Sequence, residues 1–292
     1  MSKTPRLLLG GDTADPLVVV RSHFWNFNAV GLYRGDQACV IDPGIEPADI
    51  EALGTALLGN RGGGRSVTHV VLTHSHHDHI RGWMRFPGAR VIMPAVVAAK
   101  AETARERILA TKRKIDDHLG IHDPDFRYPQ ADLTFDDRLA FEVGGLDIEL
   151  RFLPGHSDCI CVVCIPELRT LLTADYLVSP GLPYCRWRAR EFEAAIATLR
   201  SWVVEEGFER VVPAHNEPIV GREHLLEALD AERDYFLHLR AEVRAAIERG
   251  LDDEGCAREA ARQAARRRGV DLGGRARQDL DNARRVLTEE RS

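Results

Sequence analysis

Short runs rich in Val, Ile and Leu recur through the first two-thirds of the chain, separated by turns and by stretches of helical spacing. Runs of this length bounded by turn residues predict strands at 17–20, 29–33, 38–41, 69–72, 90–93, 148–152, 160–165, 170–172 and 210–212. Apolar residues at three- and four-residue spacing predict helices at 47–58, 95–114 and 190–205; Phe192, Ala195, Ile196, Leu199 and Trp202 mark one face of the last. Strands and helices in this order predict a layered α/β protein with helices outside the sheets.

Beyond Pro218 the pattern changes. A long amphipathic helix is expected over 223–249, with Leu225, Leu226, Leu229, Phe236, Val243 and Ile247 near one face and Gly250 as its stop. Residues 251–292 read as two shorter Ala/Arg/Glu-rich helices split by Gly273-Gly274, and Arg266-Arg267-Arg268 as a solvated face. The expected organisation is a catalytic domain over 1–220 and a helical extension over 221–292, through whose helices a homodimer is conceivable. Between the two halves of the candidate site, 105–123 reads as a charged surface or lid element. His118 and His122 stand there at i, i+4, but Gly120 and Pro124 argue against one continuous helix, and neither is expected to bind metal.

Composition narrows the function. The 292 residues are 44% hydrophobic and 29% charged, ordinary for a globular protein. A net charge of -6 favours neither a nucleic-acid backbone nor an anionic membrane surface. No apolar run approaches the ~20 residues that span a bilayer, and Leu7-Leu8-Leu9 is too short for a secretion signal. A cytoplasmic protein acting on a small molecule is expected. Three of the six cysteines lie in Cys159-Ile160-Cys161-Val162-Val163-Cys164-Ile165. The intervening Ile and Val mark a buried strand in which Cys is a small hydrophobe, not a thiolate cluster.

The chemistry lies where strands open into loops. Thr73-His74-Ser75-His76-His77-Asp78-His79 follows Val70-Val71-Leu72 and sets imidazoles and a carboxylate together, a donor set suited to zinc, iron and related divalent metals. Further polar residues follow other predicted strands: Asp42 in Asp42-Pro43-Gly44, His156 in Pro154-Gly155-His156, Asp175 after Ala174, and His215 in Pro213-Ala214-His215.

In this order these residues resemble the metallo-β-lactamase-fold hydrolase superfamily, over roughly residues 17 to 220, including its glyoxalase II-like and lactonase-like members. The resemblance implies an α/β fold, the αββα four-layer sandwich, and two divalent metals, zinc by default with iron or manganese also suited to a carboxylate-bridged pair. It implies that His74, His76 and His156 hold one metal, that Asp78, His79 and His215 hold the other, and that Asp175 bridges them. Asp42 would orient the ligand loop by accepting a hydrogen bond. His77 is expected to point away. A water shared by two such cations becomes a nucleophile near neutral pH, so no nucleophilic Ser or Cys is required; Asp78 and Asp175 are the carboxylates expected at the reacting centre.

The superfamily hosts several chemistries, so the bond cleaved does not follow from the fold. The full ligand set, the acidic charge and the absence of a flavin pattern favour an acyl bond: a thioester, lactone or other carboxylic ester. The alternatives are a phosphodiesterase or nuclease of the same fold and a non-catalytic metabolite-binding member. The loop 179–188 is expected to border the pocket, with Tyr176 or Tyr184 as a donor to a developing oxyanion, Arg186 or Arg188 as a partner for an acidic substrate, and His23, Phe24 and Trp25 as an apolar wall.

Overall fold

The computed structural model describes residues 4–10, 14–59, 64–178, 182–267 and 276–292. The expectations for Ser179, Pro180, Gly181, Arg268 and Gly273-Gly274 fall outside the described residues. Two compact units emerge, the first being Met1–Phe152, Cys159–Ala174 and Val212–Asn216, the second Leu153–Asp158, Asp175–Val211 and Glu217–Ser292.

In the first unit, one sheet holds β1 (Arg6–Gly10), β2 (Leu17–Arg21), β3 (Asn28–Arg34), β4 (Gln37–Ile41), β5 (Ser66–Val71), β6 (Arg90–Pro94) and β7 (Leu133–Phe135), ordered as in sequence. β1 to β4 pair antiparallel, and β4 to β7 parallel, as in Ile41↔Val71 and Val71↔Ile92. The parallel steps leave room for α1 (Pro47–Leu58) between β4 and β5, as a crossover requires. A second sheet places β8 (Arg138–Val143), β9 (Leu146–Phe152), β10 (Cys161–Ile165), β11 (Thr170–Ala174) and β12 (Arg210–Pro213) side by side.

Period-two alternation explains why β2 is apolar at successive positions. Leu17 and Val19 enter a core with Ile148, Leu150, Cys161 and Val163 of the second sheet. Val18 and Val20 point the other way, against Ile50, Leu53 and Leu57 of α1. A strand buried on both faces carries no polar side, and each such side chain contributes roughly 1.5–3 kcal/mol by leaving water. β10 is wholly buried, and its two cysteines, like the other four, are unbridged.

Some elements differ from expectation. Strand 138–143 was not predicted, although Leu139, Phe141 and Val143 alternate with Arg138, Ala140 and Glu142 and turn toward the inter-sheet core. The helix expected over 95–114 is two: α2 (Ala95–Thr103) and α3 (Arg105–Leu119), parted at Ala104, where φ is -140°. No Gly or Pro marks the break. Asp116 ties α3 to Arg81, which follows the histidine motif. Asp116 receives Arg81 Nη1 at 2.6 Å and Lys112 Nζ at 2.6 Å, and Arg81 Nε donates to the His77 carbonyl at 2.7 Å. Gly120 ends α3 in a left-handed conformation, so His118 and His122 do not share a helical face.

Removing Asp116 would leave the buried Arg81 without its carboxylate partner, while Lys112 keeps Asp123 at 3.0 Å. Asp116→Ala is expected to cost about 3–5 kcal/mol of stability, read as a fall in the denaturant midpoint. A change within about 0.5 kcal/mol would show that the pairing is not what holds α3.

The second unit carries α4 (Ala189–Glu205), α5 (Arg222–Glu248), α6 (Asp253–Arg267), α7 (Ala276–Glu290) and the short β13 (Ile219–Val220), which pairs with Arg210 and Val211. An aromatic stack joins Tyr176, Phe192 of α4, and Phe236 of α5, with ring centroids 5.2 and 4.8 Å apart. α6 buries Ala257, Ala260, Ala261, Ala264 and Ala265, small residues that let neighbouring helices approach closely. Two sheets and seven helices among the described residues make the mixed α/β class with a helical C-terminal extension that the sequence predicts. No helix among the described residues is long and apolar enough to cross a membrane.

Candidate metal centre

Parallel pairing of β4 with β5 brings Asp42 and Thr73 side by side where both strands end. Asp42 Oδ1 accepts from Thr73 N at 2.9 Å, and Oδ2 accepts from Thr73 Oγ1 at 2.6 Å and His79 Nδ1 at 2.7 Å. The backbone at Asp42 has φ of 46°, a left-handed conformation that Asp tolerates better than most residues. Gly44 completes this turn with φ of 131°, and a Cβ there would lie 2.8 Å from Asp49 Cβ, which is why the turn needs glycine.

His79 is fully buried, and its Nε2 lies 3.9 Å from Asp78 Oδ2. His215 arrives from the end of β12. Asn28 N donates to the Ala214 carbonyl at 2.7 Å, His215 pairs with Phe27 in a β-bridge, and its Nδ1 lies 3.1 Å from the Trp25 carbonyl. His215 Nε2 then stands 3.5 Å from Asp78 Oδ2, and one ligand atom each from Asp78, His79 and His215 falls within 4.8 Å of the others. Phe27 sits edge-on to both rings, at 5.2 and 5.4 Å. His74 Nε2 and His76 Nδ1 meet at 2.9 Å, with His74 Nδ1 on Thr73 Oγ1 at 3.1 Å.

In the second unit, His156 Nε2 lies 3.0 Å from Asp175 Oδ2, and His156 Nδ1 donates to the Tyr184 carbonyl at 2.6 Å. Gly155 precedes the histidine because a Cβ there would fall 2.7 Å from Tyr176 Oη and 2.9 Å from Phe192 Cα. Beneath the loop after Asp175, the buried Glu232 of α5 accepts from the Leu177 and Val178 backbone amides.

Burial raises the Glu232 carboxyl from its ordinary 4.5 to about 8. The folded protein therefore holds this proton up to about pH 8, whereas the unfolded chain releases it near 4.5. That contribution to stability is full below about 4.5 and is lost as pH rises through about 8. Glu232→Gln is expected to flatten the decline of melting temperature between pH 5 and pH 9, and to be the more stable protein at pH 9. Parallel curves for both proteins would refute this assignment.

Four of the five imidazoles commit Nδ1 to an oxygen: His74 to Thr73, His79 to Asp42, His156 to Tyr184 and His215 to Trp25. An Nδ1–H held this way leaves Nε2 as the nitrogen with a lone pair, the arrangement of metal-ligating histidines. With carboxylates of Asp78 and Asp175 beside them, the residues fit a divalent metal. Burial holds the Cys161 thiol well above its ordinary range, so it stays a neutral thiol. His118 and His122 belong to no candidate metal group among the described residues.

The expected substrate contacts need correction. Tyr176 is fully buried, its hydroxyl donates to the Leu153 carbonyl at 2.7 Å, and it accepts from His156 N at 3.1 Å. With its one proton used on the backbone, it holds the His156 loop instead of serving an oxyanion. Tyr184 likewise donates its hydroxyl proton to Asp281 Oδ2 at 2.8 Å and accepts from Arg186 Nη1 at 2.7 Å. Arg186 remains exposed, as does Arg188, whose guanidinium lies over Trp187. His77, expected to point away, meets the half-exposed Trp25 ring edge-on at 5.6 Å, and its burial lowers its proton affinity. His23 pairs with Glu46 at 2.9 Å and stacks on Phe24. Sequence reasoning missed the side chain of Thr73, although it immediately precedes the histidine motif. It also missed Glu232, for which no local signal exists.

The chain matches the model of the metallo-beta-lactamase superfamily over residues 24–231. It is 24% identical over 217 residues to a linear primary-alkylsulfatase of Pseudomonas sp. (strain ATCC 19151), covering 64% of this chain and 41% of that protein. The chain thus spans less than half the length of that curated relative. Among solved structures, a metallo-beta-lactamase family protein of Thermus thermophilus aligns with a TM-score of 0.65 and 20% identity, over 94% of each chain. A stereoselective inverting sec-alkylsulfatase from Pseudomonas sp. aligns with a TM-score of 0.65 and 16% identity, over 94% of this chain and 50% of that one. A metallo-beta-lactamase from Pontibacter korlensis aligns with a TM-score of 0.56 and 20% identity, over 78% of this chain and 99% of that one. At such identities the structures speak for the fold, while the family match covers well over half of the sequence: the chain belongs to the metallo-beta-lactamase superfamily.

Proposed function

We propose that this protein is a binuclear metal-dependent hydrolase of an ester-type bond. The observation that carries the reading is the convergence of Asp78, His79 and His215, with His79 oriented by Asp42. In this reading His74, His76 and His156 hold one divalent ion, Asp78, His79 and His215 hold a second, and Asp175 serves both. Bound metal supplies an activated water and a Lewis acid for the oxygen under attack. The chain's own part is to fix the imidazoles by their Nδ1 partners and to aim Asp78 and Asp175 at the reacting centre. Trp25, exposed beside His77, forms an apolar wall for the substrate. Zinc is the expected metal and a small carboxylic ester, thioester or lactone the expected substrate.

A second reading, cleavage of a sulfate ester, is favoured by the alkylsulfatase relative. The two separate on one panel. Zinc-, iron- and manganese-reconstituted protein is assayed on a thioester, a lactone, a medium-chain alkyl sulfate and bis(p-nitrophenyl) phosphate. Turnover on the first two supports acyl cleavage, and turnover confined to the alkyl sulfate replaces it with the second reading. Two metals bound and no turnover on any substrate would establish a binding protein instead.

A further inference from the structure

α7 lies far along the chain from every candidate ligand, yet it carries a fully buried amide, Asn282. Its Oδ1 accepts from Cys185 N at 2.9 Å, and its Nδ2 donates to the Pro183 carbonyl at 2.7 Å and to Tyr235 Oη at 3.0 Å. The partners fix which end is which, since Cys185 N can only donate and the Pro183 carbonyl can only accept. Tyr235 in turn donates to Asp279 Oδ1 at 3.0 Å, so α5 and α7 both brace the amide.

The two backbone groups clamped by Asn282 flank Tyr184. The carbonyl of Tyr184 is the one that receives His156 Nδ1–H at 2.6 Å, and Arg186 N returns to the His156 carbonyl at 2.8 Å. The Tyr184 ring is tied separately to α7 through Asp281. A carbonyl held on both sides has one direction, so the histidine that donates to it has one tautomer and one ring orientation, with Nε2 toward Asp175.

We propose that Asn282 is a positioning residue of the metal centre, acting through the Pro183–Cys185 backbone to set the tautomer and aim of His156. This rests on reading His156 as a metal ligand. It gives the C-terminal extension a task that its Ala/Arg/Glu-rich sequence does not suggest.

The test compares wild type, Asn282→Ala, Tyr235→Phe and His156→Ala in two measurements. The first is zinc affinity by chelator competition. The second is the ring-nitrogen NMR signature of His156 in metal-free protein, which a merely structural defect elsewhere would not move. Expected is a loss of zinc affinity on the order of 10- to 100-fold for Asn282→Ala, the range for removing an outer partner of a ligand. A smaller loss is expected for Tyr235→Phe, together with a His156 that no longer holds its proton on Nδ1 in Asn282→Ala. Wild-type affinity in His156→Ala would overturn the metal reading itself. Loss in His156→Ala with wild-type affinity and tautomer in Asn282→Ala would overturn only the role of Asn282. If Asn282→Ala does not fold, Tyr235→Phe decides by the same criteria.

Discussion

Asp175→Ala is expected to yield a folded protein that binds fewer metal ions per chain and turns over no substrate above background. Asp175 follows β11, beside His156 Nε2 at 3.0 Å, and in the proposed centre it is the carboxylate common to both ions. Its loop is held by other groups: the Tyr176 hydroxyl on the Leu153 carbonyl and Glu232 on two backbone amides. Deleting the carboxylate leaves those contacts in place, so the thermal midpoint is expected to move little. A fall in turnover of ~10³-fold or more corresponds to about 4 kcal/mol of lost transition-state stabilisation. Elemental analysis and the melting curve are read on the same sample. Full metal content with wild-type turnover would sink the bridging assignment, and an unfolded protein would show that the carboxylate's main task is structural.

Asp42 gives the second large effect, and two substitutions separate its causes. Asp42→Ala deprives Thr73 N, Thr73 Oγ1 and His79 Nδ1 of an acceptor and places alanine in a left-handed backbone. Each buried donor left unpaired costs about 1–3 kcal/mol, and the backbone adds roughly 1–2 kcal/mol. Asp42→Asn tolerates the backbone and keeps one acceptor oxygen, but its amide nitrogen is a donor and can accept from neither Thr73 Oγ1 nor His79 Nδ1. If the asparagine amide turns its N–H₂ toward His79, the ring is pushed to the other tautomer and Nε2 loses its lone pair. The expected pattern is strong destabilisation for Ala, and for Asn mild destabilisation with a 10- to 100-fold loss of metal affinity. Equal metal affinity in Asp42→Asn and wild type would rule out this role for Asp42.

Legibility from sequence followed the range of the interactions. The histidine motif, Asp42, His156, Asp175 and His215 each stand directly after an apolar run, because a rigid strand end is where a side chain can be presented. Strand 138–143 is equally legible, since Leu139, Phe141 and Val143 alternate with Arg138, Ala140 and Glu142. The break at Ala104 was not legible, since no residue there disfavours a helix, and the buried partner of Asp116 in α3 is Arg81, far away in sequence. Tyr176 and Tyr184 looked like substrate contacts because a tyrosine near a site has a proton to give. Only the folded chain shows that both protons are already used.

The sequence by itself determined the family, the two-sheet core and the order of the candidate ligands. Hydrophobic period and strand-end polar motifs are local, and the resemblance is carried by spacing along one chain. The tertiary structure alone decided what holds those ligands still. Thr73 and Asp42 meet because β4 and β5 are parallel neighbours, and Glu232 and Asn282 reach the chain around Leu177 and Tyr184 from helices tens of residues further on. A hydrogen bond depends on a donor and acceptor arriving within about 3 Å of each other, and no spacing pattern in the sequence encodes that distance.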